Sequence, residues 1–236
     1  MRVFALILAG GEGKRFRDSL PKQFVEILGK TVLERSIIPF EETGFVDEIF
    51  VVVNPSYLSL GKKILGGKNF RKIRSIVEGG KTRQESVRRG LSCMEGKEGV
   101  VLIHDAVRPF ISPEKIEAVI RELDRYNAVS LAFPVKETIG VVSGEMLLTD
   151  IPERSKLFSL QTPQGFKLSL IREAHIRALK EGFNKATDDC SLIRKYFPKE
   201  PVRLILGDER NIKITYPIDL KIAEVILRFE EGGLEK

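Results

Sequence analysis

The sequence contains no tryptophan, two cysteines (Cys93 and Cys190) and two histidines (His104 and His175). The two cysteines lack a metal-type spacing and cannot form a disulfide framework, so free thiols in a reducing cytoplasm are expected. Two histidines do not furnish a histidine-rich metal centre, and His104 is expected to be structural. No apolar run approaches the roughly 20 residues of a membrane span, which argues against a membrane partner. The first residues enter an apolar run directly, without a secretion-signal pattern, so a cytoplasmic location is expected. No Gly-Lys-Ser/Thr ending marks a P-loop, and the glycine spacing is too short for a dinucleotide fingerprint. Nothing resembles a Ser-His-Asp triad, a cysteine nucleophile or a paired-carboxylate glycosidase.

The 236 residues suffice for one large domain with a sizeable core. The net charge of +6 suits either nucleic acid or a small anionic substrate. The basic residues form no contiguous block and no aromatic stacking motif accompanies them, so nucleic acid is not an expected partner.

Strand and helix patterns alternate over the first two-thirds of the chain. Val3 to Leu8, Ile49 to Val53, Ile73 to Val77, Val100 to Ile103 and Val129 to Phe133 read as strands. Between them, helices are expected over Val32 to Phe40 with Thr31 as N-cap, Ser56 to Ile64, Thr82 to Leu91, and from Ser112-Pro113 to about Arg125. This rhythm predicts a parallel sheet with helices on both faces, and a site outside the carboxyl ends of its strands. From about 135 to 158 the rhythm stops, and two apolar segments flank Ser143-Gly144-Glu145, a hairpin signal. A lone hairpin is marginal in water, so a second subunit is expected to cover it. Helices over Leu168 to Leu179 and Asp188 to Tyr196, strands over Val202 to Leu206 and Asn211 to Thr215, and a helix from Pro217 follow. Gly232 to Lys236 reads as a frayed tail.

The stretch Ala9-Gly10-Gly11-Glu12-Gly13-Lys14-Arg15, with Lys22 soon after, ends the first strand. Backbone N–H groups exposed by glycines, with cations beside them, make a polyphosphate site. Asp105, directly after a buried strand, is placed to hold Mg²⁺ against phosphate oxygens, and Arg108 to take a phosphate in bidentate fashion. Gly79-Gly80 opens a helix where a base, a ribose or an anion can be received. The inventory suits phosphate-transfer chemistry by positioning and charge neutralisation.

Taken together, Ala-Gly-Gly-x-Gly-x-Arg, Pro-Lys-Gln-Phe, Gly-Gly-x-x-Arg-x-x-Ser-Val, His-Asp-Ala-x-Arg-Pro, Gln-Thr-Pro-Gln, Thr-Asp-Asp and Asn-Ile-Lys-Ile-Thr closely resemble the 2-C-methyl-D-erythritol 4-phosphate cytidylyltransferases of isoprenoid biosynthesis. The resemblance spans about residues 2 to 228. It implies a Rossmann-like α/β nucleotidyltransferase fold, a single domain with a mostly parallel central sheet, helices on both faces and a protruding β-arm. It also implies a homodimer joined by that arm and Mg²⁺-dependent transfer of CMP from CTP to the sugar-alcohol phosphate. By the same resemblance, Ala9, Gly10, Gly11 and Gly13 would line the triphosphate, and Arg15 and Lys22 would neutralise the α-phosphate and leaving pyrophosphate. Gly80 and Ser86 would hold cytosine and ribose, and Asp105 would bind Mg²⁺ with Ala106 alongside. Arg108, Thr138, Thr162 and Thr187 would hold the sugar phosphate, Arg154 would reach it from the other subunit, and Lys213 would position the attacking group. Gly10 and Val107 depart from the family's usual residues and look like the sister ribitol-5-phosphate cytidylyltransferases. Arg83 to Val87 and Thr187-Asp188-Asp189 look like the methylerythritol branch.

Overall fold

The computed structural model describes residues 1–11, 20–67, 70–230 and Gly232. Val3–Ala9 forms β1; a 3-10 turn over Lys22–Phe24 and a small antiparallel hairpin of Glu26–Ile27 (β2) and Lys30–Thr31 (β3) follow. Next come Val32–Glu42 (α1), Glu48–Val53 (β4), Leu58–Gly66 (α2), Ile73–Glu78 (β5) and Arg83–Ser92 (α3). Val100–Asp105 (β6), Pro113–Glu122 (α4) and Ala128–Pro134 (β7) complete the alternating part. The remainder is Val141–Val142 (β8), Leu148–Asp150 (β9), Phe158–Lys167 (β10), Leu168–Glu181 (α5), Asp189–Tyr196 (α6), Val202–Leu206 (β11) and Pro217–Glu230 (α7). Thr31 caps α1 through a full capping box: its hydroxyl accepts from the Glu34 N–H, while the Glu34 carboxylate accepts from the Thr31 N–H at 2.8 Å. Ser112 and Pro113 open α4 in the same spirit, with the hydroxyl accepting from Lys115.

Seven strands make the central sheet in the order β11-β7-β10-β6-β1-β4-β5. All pairs are parallel except those of β10, which runs against both β6 and β7. Along β1 the pleat sends alternate residues to opposite faces. Ala5 and Ile7 enter a core with α1 and α4 (Leu33, Ile37, Phe40, Ile116, Val119), while Phe4 and Leu6 enter another with α3, α5 and α6 (Val87, Leu91, Ile171, Leu192). Two buried faces explain why the inner strands read as continuous apolar runs rather than alternations.

Two segments differ from expectation. No strand is expected at Gln161 to Gln164, yet it lies inside the ten-residue β10. Pro163 is tolerated because the register with β7 shifts between Leu160 and Gln164, where no ladder N–H is required. The buried amides find other partners: Gln161 Nε2 donates to Asp208 O at 2.8 Å, and Gln164 Nε2 to Asp188 Oδ2 at 2.7 Å. Conversely, Asn211 to Thr215 alternates like a strand but forms none. Instead of a ladder, Ile214 N donating to Val107 O at 2.9 Å and Asn211 Nδ2 donating to Thr162 O at 3.0 Å tie it to the body of the protein. Of the expected tail, all but Gly232 lies outside the described residues.

The segment between β7 and β10 leaves the sheet as the antiparallel pair β8–β9. Val141, Val142, Met146, Leu147, Leu148 and Ile151 are all exposed on it, Met146 at 79%. None of the helices described is long and apolar enough to cross a membrane.

The packing of α3 onto the sheet depends on Gly90. A Cβ there would collide with the Leu6 side chain and lie 3.0 Å from Val52 Cγ2. Because Leu6 and Val52 are fully buried and cannot retreat, Gly90→Ala is expected to destabilise the fold by about 1–3 kcal/mol. Urea unfolding checks this; an unchanged midpoint would show that α3 has room to shift.

Candidate functional site

The carboxyl ends of β1, β4, β5 and β6 lie side by side, since Leu8 pairs with Asp105, Ala9 with Val53, and Val53 with Glu78. A cavity of about 430 Å³ opens over them. Ala9, Gly10, Gly11, Lys22, Gly80, Ser86, Asp105 and Lys213, drawn from segments far apart in sequence, line this one space. Lys81, Arg83, Gln23 and Asn54 line it as well. Among these described residues four are cations and one, Asp105, is a carboxylate. The cavity therefore carries an excess of positive charge suited to a polyanion.

Asp105 is the electrostatic centre. Its Oδ2 lies 2.8 Å from Lys213 Nζ and 3.9 Å from Arg108 Nε, and its Oδ1 lies 3.3 Å from Arg83 Nε. Burial alone would push this carboxyl's pKa up; Arg83, Lys213 and Arg108 together hold it far below the usual carboxylate range. Arg83 is anchored from behind, its Nη1 donating to the fully buried Asp189 at 2.7 Å. Although burial disfavours the charged guanidinium, Asp189 and Asp105 raise the pKa of Arg83 above its ordinary value. Arg83 Nη2 and Arg108 Nε are buried without a hydrogen-bond partner. Arg83 lines the cavity, and an orphaned guanidinium N–H there suits an anionic ligand.

The glycine loop is held by side chains rather than by a helix. Gln23 Nε2 donates to Ala9 O and Gly11 O, both at 3.0 Å, and Asn54 Nδ2 donates to Gly10 O at 3.3 Å. Across the cavity, Ser86 Oγ accepts from Gly80 N at 3.0 Å, and Glu85 folds back over the turn to accept from Lys81 N at 2.9 Å. A Cβ on Gly80 would run into the Glu85 side chain, so this turn requires glycine.

The other expected site residues lie elsewhere. Ala106 is fully buried below the cavity, its N–H bonded to Leu8 O at 3.1 Å. Arg108 sits behind Asp105 and donates to Asn211 O at 2.7 Å. Thr162 is buried, its hydroxyl accepting from Asp105 N at 3.1 Å and lying 3.0 Å from His104 Nδ1. Thr138 and Arg154 are exposed on the arm, Arg154 donating to Lys136 O at 3.3 Å, and Thr187 is exposed just before α6. Gly13 and Arg15 lie outside the described residues. Three functional groups escaped the sequence reading: Gln23, Arg83 and Asp189. Each stands inside a motif already quoted, but side-chain type alone does not reveal that a glutamine braces the loop or that Arg83 bridges two carboxylates.

His104 is fully buried, with Nε2 3.1 Å from Arg108 O, and thus supports the loop after β6. Among the described residues no group of three or more His, Cys, Asp or Glu side chains could hold a metal. Mg²⁺ needs only one or two carboxylates when phosphates and water supply its other ligands. One ionised carboxylate facing a polyanion cavity fits a metal carried with a nucleotide, not a closed protein cage.

Comparison with known proteins agrees with this geometry. The family model for 2-C-methyl-D-erythritol 4-phosphate cytidylyltransferase matches residues 3–229. The chain is 41% identical to the enzyme of that name from Thermobifida fusca over 96% of this chain and 94% of the relative. A bifunctional ribulose 5-phosphate reductase/CDP-ribitol pyrophosphorylase from Haemophilus influenzae is 38% identical over 94% of this chain, which spans 48% of that protein. Among solved structures, 4-diphosphocytidyl-2C-methyl-D-erythritol synthase from Anaerococcus prevotii superposes with a TM-score of 0.85 at 32% identity, covering 96% of each chain.

Burial pushes the His104 imidazole down to about 4, so it is neutral in the fold where an unfolded chain's histidine titrates near 6.5. A depressed folded-state pKa contributes stability that is complete above about pH 6.5 and lost as pH falls toward 4, at up to about 1.4 kcal/mol per pH unit for one proton. NMR titration should find His104 neutral at pH 5. A midpoint near 6.5 would mean that the loop behind Asp105 opens to water.

Proposed function

The chain belongs to the 2-C-methyl-D-erythritol 4-phosphate cytidylyltransferase family, and we infer from that premise that it transfers CMP from CTP to 2-C-methyl-D-erythritol 4-phosphate. Pyrophosphate and 4-diphosphocytidyl-2-C-methyl-D-erythritol are the products, in isoprenoid biosynthesis. The observation that carries the reading is the cationic cavity around Asp105 in a chain matched to the family along nearly its whole length. In the reaction, a phosphate oxygen of the acceptor attacks the α-phosphorus of CTP. The new P–O bond forms as the bond to the β-phosphate's bridging oxygen breaks, and pyrophosphate leaves with the electron pair. No protein nucleophile is needed, because the chain supplies position and charge.

The exposed N–H groups of the Gly10–Gly11 loop and the ammonium of Lys22 are assigned to the triphosphate, and Arg15 to the same task. Lys213 is assigned to the incoming phosphate, since its ammonium lies beside Asp105 at the cavity edge. Gly80 and Ser86 form the turn assigned to cytosine and ribose. Asp105 would hold Mg²⁺, which when bound neutralises developing charge on the phosphates. We further propose a homodimer. The arm exposes large apolar side chains, Val141, Val142, Met146, Leu147, Leu148 and Ile151 among them, and burying them against a second copy is favourable by about 25 cal/mol per Å². Arg154 and Thr138 stand on that arm, outside their own chain's cavity, which supports their action across a two-fold interface. A biosynthetic role suits the cytoplasm.

Ribitol 5-phosphate is the alternative acceptor, favoured by Gly10, Val107 and the Haemophilus influenzae relative. Pyrophosphate release with CTP and each acceptor decides between them; turnover of the methylerythritol phosphate is expected, and its absence sinks the assignment. Lys213→Ala should lower turnover roughly a hundredfold, the loss of about 3 kcal/mol of transition-state stabilisation, with the fold intact by circular dichroism. Asp105→Asn should raise the Mg²⁺ concentration needed for half-maximal rate, because an amide is a poorer ligand for a hard cation. An unchanged metal dependence would make Asp105 an ion-pair residue only. Mixing Arg154→Ala with Lys22→Ala should restore activity to roughly a quarter of wild type, as random pairing gives half heterodimers with one intact site of two. No recovery after confirmed subunit exchange would place Arg154 in its own subunit's site.

A further inference from the structure

Farther along α3 from the candidate site, a second cavity of about 220 Å³ opens between α3 and α5. It is smaller than the roughly 300 Å³ at which drug-sized sites begin, so its ligand is a small metabolite rather than a nucleotide. Arg88, Arg172 and His175 give its polar lining together with Ser92 and Glu95, and Leu91 and Ile176 its apolar walls. Arg88 makes no hydrogen bond or ion pair with any described residue and is felt only through space by Glu85. Arg172 spends two N–H groups on backbone carbonyls, those of Lys97 (3.1 Å) and Met94, and a guanidinium has three more.

His175 identifies what else the ligand must offer. It is 2% exposed, and its Nε2 lies 3.3 Å from Asp189 Oδ1. Burial would raise the pKa of Asp189, but Arg83 holds it below its ordinary value, so the carboxylate accepts and Nε2 carries the proton. The other ring nitrogen, Nδ1, is buried and has no hydrogen-bond partner among the described residues. A buried ring nitrogen without a partner is costly, and a ligand hydroxyl, which both donates and accepts, would satisfy it. We propose that this cavity binds a small hydroxylated phosphate monoester, with the phosphate on Arg88 and Arg172, a hydroxyl on His175 Nδ1, and the carbon chain against Leu91 and Ile176.

The site would be felt at the candidate active site. His175 touches Asp189, Asp189 holds Arg83 at 2.7 Å, and Arg83 reaches Asp105 at 3.3 Å. A ligand that shifts His175 biases the arginine that fixes the central carboxylate, and the coupling must be reciprocal. This link to nucleotide binding rests on the cytidylyltransferase reading; the binding site itself does not.

The two histidines of the chain report the two cavities separately, His175 here and His104 beside Asp105. In long-range proton–nitrogen NMR of the whole protein, glycerol 3-phosphate should shift the His175 Nδ1 signal saturably. Inorganic phosphate, which has no alcohol hydroxyl, should bind more weakly, and Arg88→Gln should weaken glycerol 3-phosphate about tenfold or more. Ile176→Trp, at a half-exposed position on the cavity wall, should block the site without touching the core. Absence of a saturable His175 shift, or a shift that survives both substitutions, overturns the site. Calorimetry of CTP binding with and without saturating glycerol 3-phosphate should show about a threefold or larger change that Arg88→Gln removes. An unchanged CTP affinity overturns the link. Failure of CTP to bind in either condition counts against the cytidylyltransferase reading, and the histidine spectrum still decides the second site.

Discussion

The carboxylate of Asp105, at the end of the central strand β6, faces three cations: Arg83, Arg108 and Lys213. Burying the Asp105 carboxylate alone would be prohibitive, and so would burying Arg83 and Arg108 without a counter-charge, while Lys213 stays partly in solvent. Placed together they leave a net positive cluster that folding tolerates because Asp189 neutralises Arg83 from behind. The cluster ties together segments that no local interaction joins. Arg83 comes from the start of α3, Arg108 from the loop after β6, and Lys213 from the irregular segment before α7. One group of the cluster that lines the cavity, Arg83, keeps a buried N–H without a partner.

That arrangement explains why polar residues recur where the chain would otherwise be all core. Thr162 and His104 are buried behind Asp105 and serve its backbone and loop. Gln164 accepts from the N–H groups of Asp189 and Cys190 at the start of α6, and thereby fixes the carboxylate that anchors Arg83. A buried polar network of this kind is stable only while each member keeps its partners.

The sheet was legible from apolar runs such as Val3 to Leu8 and Ile49 to Val53, because burial on both faces leaves little else for those positions to be. Thr31 and Ser112 announced their helices because capping is local chemistry. β10 was hidden because a strand interrupted by Gln161, Thr162 and Pro163 obeys long-range demands, a shifted register and a polar network, that no window of sequence contains. Asn211 to Thr215 misled for the converse reason: alternation of Ile212, Lys213 and Ile214 arises from one buried anchor, Ile214, and not from a ladder. Of the site, the glycine loop, Lys22 and Asp105 were readable as residue types at strand ends. Arg83, Gln23 and Asp189 act through partners more than ten residues away, and only the fold brings them together.

If Asp105 is the centre that nucleotide and metal reorganise, its present partners are place-holders for them. The direct measurement is a crystal structure of the protein with CTP and Mg²⁺. The triphosphate should lie over Gly10 and Gly11, with the metal on Asp105. Lys213 Nζ should have moved beyond hydrogen-bond distance of the carboxylate, more than about 3.2 Å, toward the cavity. A triphosphate bound elsewhere, or a Lys213–Asp105 pair left intact beside a bound nucleotide, would contradict the account.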